Sequence, residues 1–417
     1  MTPGQPPATS PAEGKPLRVL LVAPLAADDG GTTTGGVATH VSDLARQLAT
    51  LGHEVAVYAD NLPAGEPSSR AWGTAYPPVA SSALISSAVT MSGGLATLAR
   101  AMRDSRALKM RPASAAAHAL GLRRALLAAS PDVVHYHHAE TRPAFGRMAD
   151  VRAPGVITVH SLSAFRDEGG SGMRELALHN LAAADAVITV SDDAAEVIAT
   201  HLPDLSVQVV PNGIDVAAFS QNEPARPAEA PAGPLVLYLG WIATYKGVLD
   251  AVEAMATVRQ RVPGASLAVV GPEIDLTRDA VREAWDGPAE ALVTLAPVSQ
   301  PGVIGWLRAA DVMVLPSRVR EGGPRVLLEA FAAGTPVVAC DVGAVGAVLE
   351  HGALGALVAS ADPAALADAI VEALCGSEAT ARRTKAARDA VASYDSAALT
   401  QRVVDVYRTA IASGATR

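Results

Sequence analysis

VMVLPSRVREGGPRVLLEAFAAGTPVVACDV, residues 312–342, reads as strand, helix and strand within 31 residues. Val312–Ser317 is an apolar run too short for a helix and rich in branched side chains. Pro324 suits a first helical turn, where its missing N–H would have had no partner. Val326, Leu327, Leu328 and Phe331 make the following face apolar, and Gly334 stops the helix. Pro336–Val342 is a second apolar run. A helix joining two such runs is a crossover, which makes the strands parallel and covers them on both faces.

The same alternation extends outward in both directions. Toward the N-terminus the expected strands are Arg18–Leu25, Glu54–Asp60, Val133–His137, Gly155–Ser161, Ala186–Ser191, Val207–Asn212, Leu235–Trp241, Ser266–Pro272 and Leu292–Val298; beyond Val342 comes Leu354–Ser360. Between the strands lie helix signals. Val37, Val41, Leu44, Leu48 and Leu51 share one helical face and Gly52 ends it, while Ser191 precedes a helix with Asp192 and Asp193 in its first turn. Alternating β and α over this length predicts an α/β protein with parallel sheets. The pattern breaks once, at the polar, Pro-rich segment 217–233, which reads as a linker between two doubly wound domains. The expected organisation is a disordered leader at 1–15, a first Rossmann-like domain at 16–216, the linker at 217–233, a second at 234–392, and a terminal helix within 393–417. Residues 62–130, mixed in Ser, Ala and Arg, read mostly as helix.

Composition removes several function classes. The 417 residues are 50% hydrophobic and carry a net charge of −9, with no basic half, which argues against a nucleic-acid binder. Cys340 and Cys375 are the only cysteines, which excludes a disulfide scaffold and a cysteine-based zinc site and fits a reducing compartment. No run of 18 uncharged apolar residues occurs, and Met1–Lys15 has no apolar core of the kind signal peptides carry. These features predict a soluble, cytoplasmic protein. No period of 20–50 residues recurs. The dinucleotide G-x-G-x-x-G, the P-loop, the zincin H-E-x-x-H and the hydrolase G-x-S-x-G signatures are all absent.

Three features carry chemistry. Gly30–Gly36 precedes a helix start, where glycines admit close backbone approach and the helix dipole favours an anion; a flexible loop reads the same way. His135 and His137 alternate onto one face at the end of a strand, where ligands of open α/β sheets collect. His137 then reads as a functional polar group, as a merely hydrogen-bonded histidine, or, with His138 and Glu140, as a metal ligand. In 321–334 the N–H groups of Arg325, Val326 and Leu327 open a helix and can receive phosphate, with Glu321 before that helix and Glu329 inside it. A capped surface helix with solvated glutamates is the bland alternative, which the apolar neighbours of Glu329 weaken.

Taken together these motifs resemble the retaining glycosyltransferases of family 4. The resemblance spans about Leu17 to Arg408 and rests on GGVATHV (35–41), GHEV (52–55), DVVHYH (132–137), VPNGID (210–215), Lys246–Gly247, and Glu321 with Glu329 eight residues on. It implies the GT-B fold, two facing Rossmann-like domains with a cleft between them and a last helix crossing back. The first domain would bind the acceptor and the second a nucleotide-diphosphate sugar, with UDP favoured and GDP left open. By resemblance, Gly35 and Gly36 approach the donor diphosphate, His137 stands beside the sugar and acceptor, and Lys246 neutralises the leaving diphosphate. Glu321 binds the sugar near the reacting centre and Glu329 the ribose; Asn212 and Asp215 shape the hinge, and backbone around Pro297–Ser299 reads the base. Lys246 is one of only four lysines in the chain.

Two positions depart from the family pattern. Trp241 stands where related enzymes usually carry an arginine that binds diphosphate, and an indole cannot replace that fork. Arg325, or else Arg320, would then supply the charge. Pro324 replaces a frequent glycine and removes a donor. Neither a cofactor nor a metal is expected, since the donor is a substrate. Alternatives to transfer are a GT-B sugar-nucleotide epimerase and a catalytically impaired sugar-nucleotide binder. The acceptor is open among small molecules, natural products and lipids. Residues 95–111 mix Arg100, Arg103, Arg106, Lys109 and Arg111 with apolar side chains, as peripheral membrane contacts do; a solvated basic helix is the alternative.

Overall fold

The computed structural model describes residues 14–32, 35–104, 111–137, 153–165, 171–221 and 225–414. The 1–13 part of the expected leader, His138 and Glu140, and Arg106 and Lys109 lie outside them. Two sheets organise the chain. The first contains β1 (Arg18–Val22), β2 (Glu54–Tyr58), β3 (Ser68–Arg70), β4 (Gly73–Tyr76), β5 (Val133–Tyr136), β6 (Gly155–Val159), β7 (Ala186–Thr189) and β8 (Val207–Val209), in the order β3-β4-β2-β1-β5-β6-β7-β8. The second contains β9 (Leu235–Leu239), β10 (Ser266–Val270), β11 (Leu292–Leu295), β12 (Val312–Leu315), β13 (Val337–Cys340) and β14 (Ala356–Val358), in the order β11-β10-β9-β12-β13-β14. Every pairing is parallel except β3 with β4. This is the GT-B arrangement of two facing parallel-sheet α/β halves.

Each expected strand is present but stops one to three residues early at its carboxyl end. Those last residues leave the sheet and form the loops that face the cleft. Within 62–130 the helical expectation needs correction at β3 and β4. Their Ser, Gly and Arg content is poor strand material, and the strands exist because β4 pairs with β2 in register Val55↔Gly73 to Tyr58↔Tyr76. The rest of that segment is helical at Leu84–Thr90, Gly94–Asp104 and Pro112–Ala129. Leu51 is a smaller miss, since it caps the helix Gly36–Thr50 and is 41% exposed. Ser191 caps the helix Asp192–His201 as expected, accepting from the Ala194 N–H at 3.2 Å. Within 217–233 the helix Val216–Gln221 buries Phe219 in the second core, and Arg226 donates to the Ala309 carbonyl at 3.1 Å.

The topology places the cleft. β1 lies between β2 and β5, and β9 between β10 and β12, so in each sheet the chain leaves to one side and returns on the other. Loops diverge at such switch points and leave a crevice at the carboxyl ends of the strands. The last helix, Ser396–Gly414, packs on the first half, where Leu399, Val403, Val404 and Tyr407 join a core with Val19, Leu21 and Leu48. Its entry is tied to the inter-sheet crossing, because the Ile214 N–H donates to the Tyr394 carbonyl and the Ser396 N–H to the Ile214 carbonyl. Tyr407 also meets His135, whose Nδ1 lies 2.7 Å from the phenol oxygen and whose Nε2 lies 2.7 Å from Thr158 Oγ1. Tyr407→Phe leaves a buried imidazole nitrogen unsatisfied, and we expect a loss of about 1–2 kcal/mol of stability, read by urea denaturation. Unchanged stability would mean that this contact does not help anchor the helix.

Candidate active site

The first wall of the cleft starts at the β1 switch point. Gly35 precedes the helix Gly36–Thr50, and a Cβ on Gly35 would lie 3.2 Å from the Trp241 indole nitrogen of the opposite half. Gly36 differs, since a Cβ there would meet nothing within 4 Å. The fold itself therefore imposes no glycine at 36. Thr33 and Thr34 of the same loop lie outside the described residues.

The β5 end supplies histidines. His137 is fully buried, its ring centroid 4.1 Å from that of His135, as the shared face predicts. His137 Nδ1 lies 3.0 Å from His160 Nε2 at the end of β6, and His40, one turn into the helix Gly36–Thr50, packs edge-on against His160 at 4.8 Å. Burial pushes His135 down to about 3, aided by His40, and pushes His40 to about 3, aided by Arg325, so both rings are neutral at pH 7. His40 and His160 were not singled out from the sequence. His40 follows Gly36 by four residues and so lies on the same helical face, a signal that could have found it.

The second wall is built at the β9 and β12 ends. Lys246 closes a 3-10 turn, Thr244–Lys246, and Gly247 follows in the left-handed conformation with φ 69°. A Cβ on Gly247 would lie 1.9 Å from the Pro316 carbonyl oxygen, so only glycine lets this turn press against the β12 loop. That approach brings Lys246 Nζ to 2.6 Å from Glu321 Oε1, which also accepts from the Ser317 hydroxyl. Gly343 in turn holds Glu321: its φ is 59°, a Cβ there would lie 2.5 Å from the Glu321 carbonyl oxygen, and the Ala344 N–H donates to that oxygen. Ser317 and Gly343 carry no motif of their own, and only their spatial position marks them.

The helix Arg325–Ala333 opens at this wall. The Leu327 N–H donates to the Pro324 carbonyl at 3.1 Å, so of the three expected phosphate donors those of Arg325 and Val326 remain as the helix-start pair. The expected role of Arg325 meets a different geometry. Its guanidinium is buried, ion-paired with Asp43 of the first half, 3.3 Å from Glu329, and donates to the Gly213 carbonyl at 2.9 Å. Glu329 is likewise buried, and burial raises its pKa against the opposing pull of Arg325. Arg320 pairs with Asp193 across the cleft. Trp241 is 36% exposed, and its carbonyl accepts from the Tyr238 hydroxyl. Asn212 donates to the Gly323 carbonyl at 2.8 Å, joining the crossing segment to the Glu321 loop.

Lys246 and Glu321 therefore meet, His137 joins His40, His135 and His160 in the other half, and the two candidate compensating arginines serve as bridges between halves. Pro297 and Ser299 are exposed beside β11. On the outer surface, Ile85, Val89, Leu95 and Met102 are exposed on the helices Leu84–Thr90 and Gly94–Asp104. Among the described residues no helix is long and apolar enough to cross a membrane.

Comparison with known proteins agrees with this fold. The family model described as Glycosyltransferase Family 4 matches residues 34–218, and that described as Glycosyl transferases group 1 matches 233–375. A glycogen synthase of Mycobacterium tuberculosis is 30% identical over 86% of this chain and 87% of its own. A phosphatidyl-myo-inositol mannosyltransferase of Mycobacterium leprae is 28% identical over 95% and 98%. Among solved structures, an α,α-trehalose-phosphate synthase (UDP-forming) from Burkholderia xenovorans superposes with a TM-score of 0.71 at 14% identity, covering 94% of this chain and all of its own.

Removing the guanidinium at 325 leaves the buried Glu329 carboxylate, the half-buried Asp43 carboxylate and the Gly213 carbonyl without their shared partner, although Asp43 keeps its pair with Arg46. Arg325→Leu is expected to lower stability by about 3–5 kcal/mol, read as the fall in calorimetric melting temperature. A change below about 1 kcal/mol would show that Arg325 is not part of a tight bridge.

Proposed function

The chain belongs to glycosyltransferase family 4 and is a glycosyltransferase of the GT-B fold, and from that premise we propose that it moves a sugar, with retention, from a nucleotide-diphosphate donor to a small-molecule, natural-product or lipid acceptor. The observation that carries this reading is the Lys246–Glu321–Ser317 constellation, in the half whose Trp241 meets Gly35 beside the helix start at Gly36. When the anomeric C–O bond breaks, negative charge gathers on the diphosphate as the sugar becomes oxocarbenium-like. Catalysis is then mainly electrostatic, and a lysine plus helix-start N–H groups are the groups this task needs. Lys246 moves from Glu321 to the phosphates, and Glu321 is released to accept from sugar hydroxyls. Gly36 supports the same reading: with empty space where its Cβ would be, its glycine identity fits close approach by a ligand.

The attacking acceptor hydroxyl approaches from the face that the diphosphate leaves, and the departing phosphate oxygen takes its proton. No carboxylate nucleophile is needed and no metal enters this step. His137 orients hydroxyls of the transferred sugar. A UDP-linked donor is favoured over a GDP-linked one, because the trehalose-phosphate synthase of the same fold is UDP-forming. A lipid acceptor agrees with the exposed apolar side chains of Leu95 and Met102 beside Arg100, and with the mannosyltransferase relative, whose name carries a lipid. The second reading, a sugar-nucleotide binder with impaired transfer, is favoured by one observation: Arg325 is engaged by Asp43, Glu329 and Gly213, so the charge missing at Trp241 is not restored there.

Lys246→Ala is expected to lower donor turnover by about 100-fold or more while the fold stays intact, as loss of one charge-stabilising donor does. His137→Ala is expected to keep donor binding and lose transfer. Equal turnover in Lys246→Ala removes the diphosphate assignment, and loss of donor binding in His137→Ala moves that residue to the nucleotide side.

A further inference from the structure

The three histidines of the first wall form a constellation that the transfer reaction does not use as a unit. His40 comes from the helix Gly36–Thr50, His137 from the end of β5 and His160 from the end of β6. One ring nitrogen of each lies within 4.8 Å of the others. We propose that His40, His137 and His160 are a three-imidazole site for a divalent transition ion of the zinc class.

Geometry supports this first. Tetrahedral ligands about 2.0–2.1 Å from zinc lie about 3.4 Å apart, so the widest pair here must close by roughly 1.4 Å, which small side-chain rotations supply. The His137 Nδ1 to His160 Nε2 separation is already 3.0 Å, and their rings are nearly parallel, 15° apart. An ion would replace the single proton these two nitrogens share. Three imidazoles with one open position form a recurring catalytic-type zinc set, and imidazole nitrogen selects zinc, cobalt, nickel or copper over magnesium or calcium.

The scaffold supports it second. His135, itself held by Tyr407 and Thr158, backs the His137 ring at 4.1 Å, so closure falls to the His40 and His160 side chains. The nearby charge of Arg325 is offset by Asp43 and Glu329, so the cation does not face an uncompensated positive group. The cluster also borders the cleft, since a Cβ on Gly322, next to Glu321, would lie 2.4 Å from the His160 carbonyl oxygen. An ion bound there would withhold His137 from substrate and so suppress transfer, whichever donor or acceptor the enzyme takes.

The test titrates the full-length, metal-free protein with Co²⁺ and follows its visible d–d absorption, with Zn²⁺ as competitor. One Co²⁺ per chain is expected, with a tetrahedral spectrum that one equivalent of Zn²⁺ abolishes. His40→Ala and His160→Gln are each expected to weaken binding by more than about tenfold, at least as much as loss of a supporting contact to a metal ligand. His179→Ala, at an exposed site on another helix, should bind as the unaltered protein does. Melting curves of each variant separate loss of the site from loss of the fold, and the titration of the unaltered chain stands by itself. The proposal is overturned if the unaltered protein gives no tetrahedral Co²⁺ spectrum. It is equally overturned if binding survives both His40→Ala and His160→Gln, including the case in which His138→Ala alone removes it.

Discussion

The Arg325 guanidinium reaches three places at once: Asp43 on the helix that opens the first half of the cleft, Glu329 one turn along its own helix, and the Gly213 carbonyl of the crossing segment. Burying a charge this deeply is unfavourable unless every partner is in place, so the bridge fixes the distance and angle between the two walls. Asn212 with Gly323, Arg320 with Asp193, and Gly322 against His160 complete the same seam. Movement of one half against the other must break these contacts together. The relation of Lys246 and Glu321 to His137 depends on this seam, because the first two come from one sheet and the last from the other.

The electrostatics of the cleft follow from how few cations remain. Arg318 is paired with Asp250, Arg320 with Asp193 and Arg325 with Asp43, while Lys246 is held by Glu321 alone among the ion pairs described. Lys246 is therefore the cation most readily redirected toward a phosphate. Trp241, packed over Gly35, closes the position where a second cation would be expected and makes that wall aromatic.

Much of this was legible in the sequence because it is local. The βαβ unit at 312–342 and the parallel sheets follow from short apolar runs alternating with helical faces, while the crossing of the last helix was implied by the family resemblance. Lys246–Gly247 was legible only through the family resemblance, and the structure supplies its physical reason, since Gly247 is left-handed where Lys246 reaches Glu321. Long-range relations were not legible. Nothing near Arg325 signals Asp43, which lies 282 residues away, so its guanidinium was expected at the phosphate. His40 and His160 converge on His137 only through the order of β1, β5 and β6, and β3 and β4 exist only because a neighbouring strand pairs with them.

A panel of UDP, GDP, ADP, CMP and dTDP tested for thermal stabilisation of the unaltered protein addresses the central claim most directly. A nucleotide bound at a hundredfold excess over its Kd stabilises the folded state by about 2.7 kcal/mol. A donor cleft as described predicts that one nucleoside diphosphate, UDP, raises the melting temperature clearly above the others. No shift with any of the five would contradict the account, since a cleft that binds no nucleotide cannot take a sugar from one.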